Sequence, residues 1–133
     1  MFKTLFSTIA VAAALTAAGP ANAADPGGNY KKVSTLVELP EFIPGMGTLY
    51  VQPDTLPAGP FLAYDADDKL VSTIYMVPLA DMQAEKKFSG LAVGEDSVEQ
   101  VDMYYNAGHP GVDQPHYHIV LWHVSPEMAQ LEQ

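Results

Sequence analysis

Phe61-Leu62-Ala63-Tyr64 and Leu70-Val71-Ser72-Thr73-Ile74-Tyr75-Met76-Val77, joined by Asp65-Ala66-Asp67-Asp68-Lys69, decide the class of this fold. Both flanks are rich in the β-branched and aromatic residues that suit a pleated sheet. The link is a turn, because an aspartate carboxylate accepts hydrogen bonds from backbone N–H groups close by in the chain. Three aspartates in one loop also raise calcium. An EF-hand loop, however, needs a central glycine and a distal glutamate in a fixed spacing, and that pattern is missing here. The stretch therefore predicts an antiparallel hairpin, and the rest of the chain is read outward from it.

Toward the N-terminus, Thr48-Leu49-Tyr50-Val51 reads as a strand closed by Pro53-Asp54, and Pro57, Gly59 and Pro60 make a rigid connection into the hairpin. Residues 33–39 alternate weakly and read as a first, edge-type strand, broken by Pro40, Pro44, Gly45 and Gly47. Toward the C-terminus, Pro78 ends the hairpin and residues 79–88 read as a helix. Leu79, Met82 and Phe88 lie toward one side of it, and Lys86 and Lys87 sit near the end where the macrodipole favours positive charge. Residues 97–105 alternate again, with Val101, Met103 and Tyr105 on one face and Asp102 and Tyr104 on the other. Ser125-Pro126-Glu127 places a serine N-cap and a proline at N1 before a short terminal helix. The expected class is α+β: mainly an antiparallel sheet of about five or six strands, with one mid-chain helix and a short C-terminal helix.

All four histidines fall in one run, Gly108-His109-Pro110-Gly111-Val112-Asp113-Gln114-Pro115-His116-Tyr117-His118-Ile119-Val120-Leu121-Trp122-His123-Val124. Its first part is turn-forming, and from His116 onward it reads as a strand. Alternation puts His116 and His118 on one face, roughly 7 Å apart at ~3.3 Å per residue. The preceding loop can fold His109 over that pair. His123 differs from them by an odd number of residues and points to the opposite face, unless a β-bulge near Leu121 flips the parity.

Three neutral imidazoles make a usual set of ligands for zinc or copper. Two other roles compete with it: hydrogen bonding within the sheet, and metal-free acid/base chemistry. The strand of residues 97–105 is the simplest antiparallel neighbour of the histidine strand. One register brings Asp102 and Tyr104 beside His116 and His118, the other Met103 and Tyr105. Asp102 would serve as a fourth ligand or as the acceptor that fixes an imidazole tautomer, whereas the Met103 thioether would favour Cu(I). His123, Asp102 and Met103 thus rank behind His109, His116 and His118 as metal ligands, and the sequence leaves the register open.

The N-terminus carries Lys3, an apolar run over residues 5–18, and Ala21-Asn22-Ala23. A positive start, a short greasy core and an A-x-A ending describe a secretory signal peptide over residues 1–23, so the expected location is periplasmic or secreted. Residues 24–32 then read as a flexible leader and residues 33–133 as a single α+β domain. With no cysteine there is no lipid-modification site, no disulfide and no thiolate ligand. The apolar run is too short for a comfortable span, so no stable membrane insertion is expected after cleavage.

Six lysines, no arginine and sixteen acids give the chain a net charge of −10. That field excludes nucleic acid, since gripping a phosphate backbone needs basic side chains, and it draws in cations.

Gly108-His109-Pro110 followed by Pro115-His116-Tyr117 resembles a family of exported bacterial domains of unassigned function, in which G-H-P precedes P-H-[FY]-D-x-H. The Gly59-Pro60-Phe61…Tyr64-Asp65 turn and Tyr75-Met76-Val77-Pro78 are also similar to it. His109 and His116 match the pattern. His118 stands where that family has Asp, and Val120 where it has the later His. The resemblance implies an extracytoplasmic module able to form homo-oligomers, and no activity. The H-x-H of cupin barrels is a poorer likeness, because Glu127 follows only after the Ser125-Pro126 break and no histidine lies beyond His123.

Three functions remain. The first is an exported protein binding copper or zinc through its histidine cluster. The second is a small metal-dependent enzyme with an open coordination position, assisted by Tyr104, Tyr105 or Asp102. The third is a metal-free interaction module of an exported oligomer. No nucleophile elbow or phosphate-binding loop supports any other hydrolytic or nucleotide chemistry.

Overall fold

The computed structural model describes residues 25–131. The stretch read as a signal peptide lies outside the described residues. Six strands form one sheet: β1 (Lys31–Lys32), β2 (Thr48–Val51), β3 (Phe61–Tyr64), β4 (Leu70–Pro78), β5 (Gln100–Asn106) and β6 (His116–Trp122). Two short helices accompany them, α1 (Leu79–Gln83) and α2 (Pro126–Leu131). The strand order is β1-β2-β3-β4-β6-β5, antiparallel throughout, so the architecture is mainly β.

The β3–β4 hairpin forms as its sequence dictates. Asp65 accepts the backbone N–H groups of Asp67 and Lys69, both at 2.9 Å, and so ties the turn together. Beyond the hairpin, β6 is inserted between β4 and β5, and its whole length is bonded on both sides. Any side chain on β6 is therefore held by two ladders.

Directly paired residues of neighbouring strands share a face. On one face stand Leu49 and Val51, Phe61 and Ala63, Ile74 and Met76, and then His118, Val120 and Trp122. The segments flanking β2 and β6 fold over that face. Val33 and Val112 are buried in it, and Val37, Leu39, Ile43 and Met46 pack against it. Each aliphatic or aromatic side chain withdrawn from water here contributes about 1.5–3 kcal/mol, which offsets the ordering of these long, helix-free connections. His116 and His118 lie at the margin of this core, on its own face of the sheet.

Three local expectations are corrected. Residues 33–39 are not a strand: Val33–Thr35 form a 3-10 turn, with the Leu36 N–H bonded to the Val33 carbonyl and the Thr35 hydroxyl donating to Lys32 O. The turn drops Val33 into the core, a better use of its side chain than a pleat at the sheet edge. The strand pairing occurs just before it, at Lys31 and Lys32, inside the stretch read as leader. The mid-chain helix stops at Gln83, because Glu85 adopts φ +55° and Met82 is 51% exposed. Without a buried stripe, a helix this short gains too little from packing to continue.

Candidate metal centre

Gly108 to Pro115 form the loop that carries His109. Within it, His109 and Val112 bond each other through both backbone groups, His109 N to Val112 O at 2.9 Å and Val112 N to His109 O at 3.0 Å. Pro110 and Gly111 occupy the two positions between. Proline supplies the fixed φ that the first position of a type II turn wants, and Gly111, at φ +89°, the positive φ of the second. Gly108, at φ +135°, comes so near the returning chain that a Cβ there would lie 2.5 Å from the Asp113 carbonyl oxygen. The loop is thus a tight, closed bend that aims His109 back over β6.

The three rings meet at their Nε2 atoms. His116 Nε2 is 2.9 Å from His118 Nε2 and 3.1 Å from His109 Nε2, and His109 and His118 are separated by 3.2 Å. His116 and His118 are buried and His109 is half-buried. Each ring is oriented through its other nitrogen. His109 Nδ1–H donates to Pro110 O at 3.0 Å, and His116 Nδ1–H donates to Gln114 O at 2.6 Å. His118 Nδ1 lies 3.0 Å from the Tyr104 hydroxyl.

A carbonyl only accepts, so the protons of neutral His109 and His116 are fixed on Nδ1 and their Nε2 lone pairs face each other. Two acceptors at that separation cannot bond. A proton on His118 Nε2 relieves one pairing at most. Such an array is an incomplete polar cluster, and its three nitrogens are close enough together to hold one cation.

Burial, reinforced by the neighbouring His116 and then His109, lowers the His118 pKa from its ordinary 6.5 to about 4. This histidine is neutral at any pH where metal ions compete well for nitrogen. The sign for folding follows from its depressed value. The unfolded chain takes up the proton first as pH falls, so the stability associated with neutral His118 is full above pH 6.5 and is lost as pH approaches 4. Metal-free protein should therefore melt lower at pH 4.5 than at pH 7.5, and His118→Ala should flatten that slope. An equal slope in the variant would assign the pH dependence elsewhere.

The pairing of β5 with β6 puts Tyr104 opposite His118 and Asn106 opposite His116. Asp102 shares this face but stands opposite Val120, where it accepts the Trp122 indole N–H at 2.8 Å. Asp102 is therefore a clamp for a buried indole and lies apart from the triad. Tyr104 takes the orienting position that the sequence offered to Asp102. Burial, with Asp102 adding, pushes the Tyr104 phenol above its ordinary value, so it keeps its proton. Met103 points to the opposite face and is 62% exposed, away from the triad.

His123 also stays apart, because the β6 register runs unbroken to Trp122. Its Nε2 lies 2.8 Å from Thr73 Oγ1 and its Nδ1 bonds the Ser97 carbonyl at 3.0 Å, pinning the 94–97 segment to β4. Sequence reasoning missed the two backbone acceptors, which no side-chain pattern announces. It also missed Met76, which β4 places opposite His118.

No helix among the described residues is long and apolar enough to cross a membrane. No protein-family model matches the chain, and no curated protein matches it. Among solved structures it is similar to the hypothetical protein TTHB210 from Thermus thermophilus, at 45% sequence identity and a TM-score of 0.62. The match covers 70% of this chain and 85% of that one. With that identity over that much of both chains, the protein belongs to the same family as the Thermus thermophilus protein.

Proposed function

We propose that this is an exported transition-metal-binding protein that holds copper or zinc through His109, His116 and His118. One observation carries the reading: three imidazole Nε2 atoms converge within 3.2 Å of one another while carbonyls fix the protons of two of the rings on the far nitrogen. Their separations place the three nitrogens on a circle of radius ~1.8 Å, less than the ~2.0–2.1 Å of a zinc–imidazole bond. One ion about 1 Å out of that plane reaches all three at normal length, with angles between octahedral and tetrahedral values. An all-nitrogen set with no sulfur suits Zn(II) and Cu(II) better than Cu(I).

Export accounts for the ligand type. A compartment without reducing thiols favours histidine over cysteine as a durable ligand, and the leader-like N-terminus is consistent with that location. The strongly negative surface raises the local cation concentration around the site.

The test is thermal unfolding of chelator-treated protein with added metal. At 100 times the dissociation constant, Zn(II) should add about 2.7 kcal/mol of stability, or ~10 °C or more in melting temperature for a domain this size. A melting temperature indifferent to zinc, copper and nickel would remove the metal and leave the triad a structural cluster.

A further inference from the structure

A cavity of about 240 Å³ opens beside the triad, between the sheet and the covering segments. His109, His118 and Asn106 form its one polar end. The remaining wall is apolar, made by residues such as Leu49, Val51, Phe61, Met76 and Val112. Apart from those two histidines, no titratable side chain lines it. Leu36 and Leu56, 41% and 44% exposed, stand where it meets solvent.

We propose that the metal centre takes a medium-chain aliphatic carboxylate as its exogenous ligand, with the head on the ion and the tail in this cavity. This rests on the metal reading above and names what that site would hold. Three protein nitrogens leave at least one coordination position open. Three neutral imidazoles also leave a dication's charge uncompensated, which favours an anionic head. Asn106 Oδ1 already accepts the Gly108 N–H at 2.9 Å, so the amide NH₂ remains as a donor at the polar end. One carboxylate oxygen on the ion and the other on that amide uses both.

The tail follows from the wall. It is apolar along its length, offers nothing to a second polar group, and rejects a charged or hydroxylated chain by leaving those groups unpaired. A dry cavity of ~150 Å³ accommodates benzene, so this larger one suits a chain of roughly eight carbons. The chain's overall negative charge acts against the anion only at long range, and salt screens it beyond ~8 Å.

The experiment uses the full protein loaded with Co(II), whose visible absorption reports its ligands, and titrates octanoate against acetate. Each methylene transferred to an apolar site is worth roughly fourfold in affinity, so octanoate should bind at least ~100-fold tighter than acetate and shift the cobalt bands. In Val37→Trp, which fills the cavity from the covering segment, octanoate should weaken at least ~10-fold while acetate changes less than ~3-fold.

Cobalt bands that ignore octanoate, or equal affinity for the two acids, would overturn the proposal while leaving the metal site standing. Octanoate binding as tightly to metal-free protein would overturn the placement of the head on the ion. Failure of cobalt to bind at all would overturn the metal reading, and this proposal with it.

Discussion

Substituting His118 by alanine is expected to raise the dissociation constant for Zn(II) by more than about 100-fold, since losing an orienting partner alone costs about 10–100-fold and this would remove a ligand. His118 sits on the strand bonded along both edges, and its Nε2 is the shared neighbour of the other two. No other described histidine or carboxylate joins the cluster: Asp102 is engaged with Trp122 and His123 with Thr73 and Ser97.

The matched control is His123→Ala. That histidine is buried like His116 and His118, yet it bonds Thr73 and Ser97. Its loss removes a partner from the buried Thr73 hydroxyl and costs about 1–3 kcal/mol of stability, with no change in zinc affinity. Isothermal titration and urea unfolding on both variants separate the two roles. Zinc affinity retained in His118→Ala, or lost in His123→Ala, would refute the assignment of ligands.

The largest stability effect is expected at Ile74. It is 1% exposed, pairs with Phe61 on one side and Val120 on the other, and stands in the middle of the core face. Alanine there removes three carbons from a site walled by two rigid ladders, which cannot collapse to fill the space. The cost should be about 2–5 kcal/mol, a large part of the ~5–15 kcal/mol that holds a domain of this size. Denaturant titration of metal-free protein measures it. A loss below about 1 kcal/mol would show that the core relaxes around the gap and that the sheet is softer than its pairing suggests.

The parts of the fold legible in the sequence are those where one local signal dominates. The Asp65 turn, the apolar β4 and the alternation of β5 each follow from residues a few positions apart. So does the shared face of His116 and His118, because strand parity is a property of two residues in one strand. The Ser125-Pro126 helix start is legible for the same reason.

What failed depended on partners distant in sequence. The pattern over residues 79–88 is helical, but it ends early because nothing packs on Met82. Val33 leaves the extended path because a core lies beneath it. Whether Asp102 and Tyr104 or Met103 and Tyr105 faced the histidines turned on a register that the irregular 107–115 loop does not announce. The choice of Tyr104 over Asp102 as the orienting group then followed from a two-residue step along β5. The carbonyls of Pro110 and Gln114 carry no side-chain signature.

The triad's members lie only seven and nine residues apart across its longer separations, within a bend already closed by its own backbone bonds. An ion held there would act as a rivet through one fold of the ribbon and would not staple remote regions together. Lifting that single bend would free His109, one of its three ligands, with the remaining strands intact. Exchange of such an ion would then not require global unfolding, and the far edge at β1 could fray without loosening it.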